Sequence, residues 1–166
     1  MTSIRIQMGI IPVVAALWLA ACGSSPPSGI ASSPTSAALI HTASIKVGDK
    51  TLTVLKNEKG LTLYYFTPDT AIKVACTAGC ASNWPPLLAT SGTPTSNPAL
   101  PGKLTVLNGA NGNQVLYNGH PLYTYIADTA PGQAKGNGVN LSGGVWHEVT
   151  ASGSAAPSAS SGAGGY

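Results

Sequence analysis

The residues able to do chemistry in this chain are few: five acids (Asp49, Glu58, Asp69, Asp128, Glu148), three histidines (His41, His120, His147) and three cysteines (Cys22, Cys76, Cys80). Two of the acids recur in one setting. Tyr64-x-Phe66-x-x-Asp69 and Tyr123-x-Tyr125-x-x-Asp128 share their spacing, and each Asp is followed by Thr-Ala. Two carboxylates within several ångströms of each other can work as general acid and base, or as cation ligands. A carboxylate just past the end of a strand more often accepts backbone N–H groups of the turn that follows. Turn capping is therefore the expectation for Asp69 and Asp128, and a small hydrolase using them as paired acids is an alternative. Along a strand, Tyr64 and Phe66 share one face, as do Tyr123 and Tyr125. These aromatic pairs are expected to meet in the core with their hydroxyls on polar partners. The alternative is an aromatic platform for a sugar ring or another flat ligand.

The start of the chain decides the chemistry open to the cysteines. Arg5 precedes an uncharged, largely apolar run of 14 residues, Met8–Ala21, and then Cys22. That is signal-peptide length, shorter than the about 20 residues of a membrane span. The join Leu19-Ala20-Ala21-Cys22 resembles the bacterial lipobox, which makes residues 1–21 a lipoprotein signal peptide and Cys22 the acylated first residue. An exported chain lies where disulfides persist, so Cys76 and Cys80, spaced C-x-x-x-C and not C-x-x-C, are expected to form one short bridge.

A thiolate metal site with His120 or His147 is the minority reading of those cysteines. Imidazoles also allow a metal-binding or redox accessory role with His120, His147 and Asp128 as ligands for Cu(II) or Zn(II). Glu148, next to His147 on a strand, points to the opposite face. Both methionines, Met1 and Met8, fall in the leader, which removes the usual axial ligand of a blue-copper centre. Neither a Gly-x-Ser-x-Gly elbow nor a phosphate-binding Gly-x-x-x-x-Gly-Lys-Ser/Thr loop occurs. No cofactor and no catalytic residue are expected.

The elements that must position these groups are strands. Only 8% of the 166 residues are charged, against 43% hydrophobic, and 20 Gly and 13 Pro punctuate the chain. Residues 22–43 and 151–166 are Ser, Ala, Pro and Gly-rich, expected to be a flexible tether and a disordered tail. Between them, 44–150 is of ordinary domain size. Ile45–Val47 and Lys50–Leu55 read as a hairpin across Gly48-Asp49, and Leu61–Phe66 follows across Asn57–Gly60. Lys103–Leu107, Gln114–Tyr117 and His120–Ile126 read as strands, the last two joined by Asn118-Gly119, the signature of a type I′ turn. At most a turn or two of helix fits, around Ala78–Asn83. The formal net charge of +3 includes Arg5 and rests on scattered lysines, a poor footprint for nucleic acid.

Residues 60–71 laid over 119–130 match Gly, Leu, Tyr, Asp, Thr and Ala at a constant offset of 59. Each copy runs on to a tryptophan, Trp84 or Trp146. The domain is thus two tandem β-hairpin-based repeats, about 50–88 and 104–149, and two are too few for an open solenoid. An all-β, compact domain with the copies packed about a pseudo-two-fold axis is expected.

The two Tyr-x-aromatic-x-x-Asp motifs, Cys76-x-x-x-Cys80-Ala81-x-x-Trp84-Pro85-Pro86 and Tyr117-Asn-Gly-His-Pro-Leu-Tyr123 occur in an order that resembles a bacterial family of lipoproteins built from a secreted repeat. The resemblance implies an exported, usually lipid-anchored domain and supplies no catalytic residues, the family's biochemical function being unestablished. The expected protein is lipid-anchored through Cys22 to the outer face of a bacterial membrane, the outer membrane in a Gram-negative host. Its expected role is non-enzymatic binding of an envelope protein or small ligand, with no nucleic-acid partner.

Overall fold

The computed structural model describes residues 39–47 and 49–152. The signal peptide expected over 1–21, the acylation expected at Cys22, the tether up to residue 38 and the tail beyond residue 152 lie outside them. Among the described residues the regular structure is almost entirely β, as the punctuation predicts. Strands β1 (Ile40–Val47) and β2 (Lys50–Asn57) pair antiparallel from Ile40↔Asn57 to Val47↔Lys50. This hairpin begins before the expected boundary, so residues 40–43 belong to a strand and not to the tether. The physical reason is Ile40. Its side chain is wholly buried against Leu55, Leu63 and Leu87, and its amide donates to the Thr95 carbonyl at 3.2 Å. A Ser/Ala/Thr-rich stretch hides a strand that one apolar side chain and a hydrogen-bond ladder are enough to dock.

After β3 (Tyr64–Phe66) comes α1 (Gly79–Asn83), one helical turn where the sequence allows one. A short strand, β4 (Ser96–Asn97), then lies parallel to β1. Strands β5 (Leu104–Gly109) and β6 (Gly112–Tyr117) form the second hairpin. The segment 108–113 continues the ladder through Asn108↔Asn113 to Gly109↔Gly112, and Asn108 Nδ2 donates to Asn113 Oδ1 at 2.9 Å. Asn118 and Gly119 take φ of 49° and 83°, the two positive values a type I′ turn requires. They lead into β7 (His120–Pro121), and β8 (Asn140–Leu141) and β9 (Gly144–Glu148) are the last of the described strands. The strand expected over 120–126 pairs regularly only at its start; beyond it Tyr123 alone bridges Tyr64 and Pro86.

The two repeats close each other. The Leu55 amide donates to Val149 and the Val149 amide to Leu63, at 2.8 and 2.9 Å, so the end of the second repeat completes the first. The Val115 amide donates to Leu87 and the Leu87 amide to Leu122, again at 2.8 and 2.9 Å, so the end of the first completes the second. On the pseudo-two-fold axis, Tyr64 and Tyr123 exchange backbone hydrogen bonds at 2.8 and 2.9 Å. Neighbouring side chains on these strands point to opposite faces, and both faces are buried. Leu63 and Leu122 join an aliphatic cluster with Ile40, Leu55, Leu87, Val115 and Val149. Tyr64 and Tyr123 join an aromatic one with Phe66, Cys76, Trp84 and Trp146. Each such side chain contributes roughly 1.5–3 kcal/mol by leaving water.

Candidate functional site

The repeated motif forms two reciprocal clasps. The Tyr64 hydroxyl donates to Asp128 Oδ2 at 2.5 Å, and the Tyr123 hydroxyl donates to Asp69 Oδ2 at 2.7 Å. Every bond of this kind joins a tyrosine of one repeat to the acid of the other. The remaining oxygen of each acid caps its own loop: Asp69 Oδ1 accepts the Ala75 amide at 2.6 Å and Asp128 Oδ1 the Lys135 amide at 3.0 Å. Asp69 and Asp128 are therefore turn acceptors, as the sequence suggests, and also the locks between repeats. Both are buried. Burial pushes the Asp69 carboxyl above its ordinary value, against the downward pull of its loop amides, the Tyr123 hydroxyl and nearby His120. Burial first, and the carboxylate partner next, hold both tyrosine hydroxyls far above the usual phenol range. Tyr64 and Tyr123 are thus fixed as donors.

Between the clasps lies a stack of four rings drawn alternately from the two repeats, Phe66, Trp146, Trp84 and Tyr125. Successive centroids are 4.3, 3.8 and 4.1 Å apart, and the two indoles are parallel to within 1°. Tyr64 and Tyr123 meet the indoles of Trp84 and Trp146 edge-on at 5.5 and 5.1 Å. The edge-to-face contacts are of the geometry the ring quadrupole favours, and the parallel rings of the stack bury their faces against one another. Tyr64, Phe66 and Tyr123 are core rings, and Tyr125 is half-buried at the end of the stack, so the motif aromatics form an interior and not a platform. Cys76 and Cys80 are joined in a disulfide with Cα atoms 5.2 Å apart, bracing the loop that delivers Trp84.

The metal-ligand set His120, His147 and Asp128 is not assembled. Asp128 lies on the face of β3 to which Tyr64 points, whereas the histidines lie on the Tyr65 face. There they flank the Tyr65 ring from different strands, with centroids at 4.7 Å for His120 and 5.4 Å for His147. Alternation along β3 is what separates them. Among the described residues no three His, Cys, Asp or Glu side chains converge as metal ligands. Burial lowers the His147 imidazole's proton affinity. A shallow hollow of about 70 Å³ between Leu39, Glu58 and the 89–95 segment is far below the several hundred Å³ of a small-molecule site.

One residue singled out only for its direction has the least ordinary surroundings. Glu148 is wholly buried, and among the described residues neither carboxyl oxygen has a hydrogen-bond partner. Burial pushes this carboxyl up to about 7, its own backbone N–H pulls the other way, and the charge of Asp128 adds to the rise. The signal was present in the sequence: a residue two beyond the core tryptophan Trp146 on one strand shares its inward face.

A family model described as a secreted repeat of unknown function matches residues 49–88 and again 105–150. These are the two halves that the clasps join. No curated protein and no solved structure matches the chain. With more than half of its length matched, in two copies that the fold pairs about one axis, the chain belongs to this family of secreted repeats.

Proposed function

We propose that this protein is a lipid-anchored, non-enzymatic binding module of the bacterial cell envelope, held to the membrane by an acylated Cys22 and carrying its domain on a Ser/Pro-rich tether. The observation that carries the reading is the pair of reciprocal clasps. The motif that defines the repeat spends its tyrosines and carboxylates on closing the domain, each Asp oxygen already accepting a hydrogen bond. A paired-acid hydrolase needs those oxygens for substrate or water. Membership in a secreted family supports placement outside the cytoplasm, and the lipobox-like join supports the anchor. The scattered lysines favour a protein or small-ligand partner over nucleic acid.

Two measurements test this. In a bacterial host given an alkyne fatty acid, the full chain should take up the label and fractionate with membranes, and Cys22→Ala should do neither. Asp69→Asn and Asp128→Asn should lower stability. An ester, peptide or glycoside hydrolysis lost in either variant while stability is retained would overturn the non-enzymatic reading.

A further inference from the structure

Pseudo-symmetry supplies an internal control for Glu148. Pro86 of the first repeat, two residues past Trp84, bridges Tyr123 of the second; Glu148 of the second repeat, two residues past Trp146, pairs with Tyr64 of the first. Backbone pairing thus makes Pro86 and Glu148 structural twins, and the fold closes one clasp with no carboxyl at this position. At the other clasp the carboxyl is fully buried and unpaired, an arrangement that costs several kcal/mol when the group is charged. Two ionisable groups face it, Tyr64 from β3 and Asp128 from the segment after Tyr125, and neither is a cation. His147, its chain neighbour, points to the other face beside Tyr65.

We infer that Glu148 is a proton-binding site inside the second clasp, so that the closed arrangement of β3, β9 and the Tyr64–Asp128 bond holds with its carboxyl protonated and loosens when it ionises. The sign follows from linkage. The folded state binds this proton more tightly than the unfolded chain, with the folded carboxyl near 7 and the ordinary value 4.5. The contribution is therefore fully present below the lower value and is lost as pH rises through the upper one. A domain outside the cytoplasm meets the pH of its surroundings, and that window spans mildly acidic to neutral conditions.

The test is urea unfolding of the full chain at pH 5 and pH 8 for the native protein, Glu148→Gln and Glu148→Met, with a carbon-13 carboxyl titration of the native protein. Between the two pH values the folded-to-unfolded ratio of the native protein should fall about tenfold or more beyond that of either variant. One glutamate resonance, absent from the variants, should titrate near neutral pH. Equal pH slopes in native and variant proteins, or no glutamate titrating above the ordinary carboxylate range, would overturn the inference. Should neither variant fold, the carboxyl titration decides alone.

Discussion

The two clasps are built from the same parts and differ in what surrounds them. At the Tyr123–Asp69 clasp, Pro86 bridges the tyrosine, Gln114 lies beside its hydroxyl, and the following loop is braced by Cys76–Cys80. At the Tyr64–Asp128 clasp the pairing residue is Glu148, and the loop is unbraced but brings Gly136 so close that its amide donates to the Tyr64 hydroxyl at 3.3 Å. A Cβ at Gly136 would lie 2.8 Å from both the Tyr64 and Trp84 rings. Positions alike in both repeats close the domain; positions that differ are where one half can do something the other cannot. The comparison also says which substitutions should act alike in the two halves and which should not.

The largest effect should come from the indoles on the axis. Trp84→Ala and Trp146→Ala each empty half of the same stacked pair, and each should cost about 3–5 kcal/mol in urea unfolding. Near-equal losses are expected, since either ring covers the other. A loss at one site below half that at the other would break the pseudo-symmetric reading of the core.

Next come the clasp hydroxyls. Tyr64→Phe and Tyr123→Phe each remove a hydrogen bond to a buried carboxylate, worth about 1.5–3 kcal/mol. At pH 5 the two should agree. At pH 8 Tyr64→Phe should be the worse, because Asp128 then faces an ionised Glu148 without its donor. A pH-independent ratio between the variants would separate Glu148 from the clasp.

How much of this was legible in the sequence follows from what is local. The constant offset of 59 exposed the repeat, and Asn118-Gly119 and the Tyr-x-aromatic-x-x-Asp spacing fixed a turn and the faces of β3. Which tyrosine meets which acid was not legible, because the partners lie in different repeats, 64 and 54 residues apart, and no local spacing encodes their register. The tryptophans are offset by 62 and not 59, so their stacking is set by how two loops of unequal length return to one axis. Ile40 was missed for the opposite reason. Its surroundings look like a linker, and only the cluster it enters shows that it belongs to the core.

The disulfide sharpens the comparison between the loops. Cys76 and Cys80 enclose so short a segment that replacing both by Ser should cost about 2 kcal/mol through unfolded-state entropy. Amide exchange should then quicken more in 76–84 than in 129–139, whose loop never had a brace. Equal quickening in both loops would mean that the bridge stabilises the domain as a whole and not the half that contains it.

The smallest effect separates two neighbours on β9 by sign. Burial lowers the folded-state proton affinity of His147, so the unfolded chain binds that proton more tightly and stability rises with pH up to the ordinary imidazole value of 6.5. Glu148, pointing the other way from the same strand, makes stability fall over an overlapping range. His147 is partly exposed beside Tyr65, and solvent screening should keep its contribution small. The native protein therefore hides it beneath the Glu148 slope. In Glu148→Gln that slope is gone, and the further change His147→Gln should remove a small upward trend between pH 5 and 6.5. Should the second substitution instead remove a downward trend, the folded protein would hold the His147 proton more tightly than the unfolded chain does, and burial would not be what governs that imidazole.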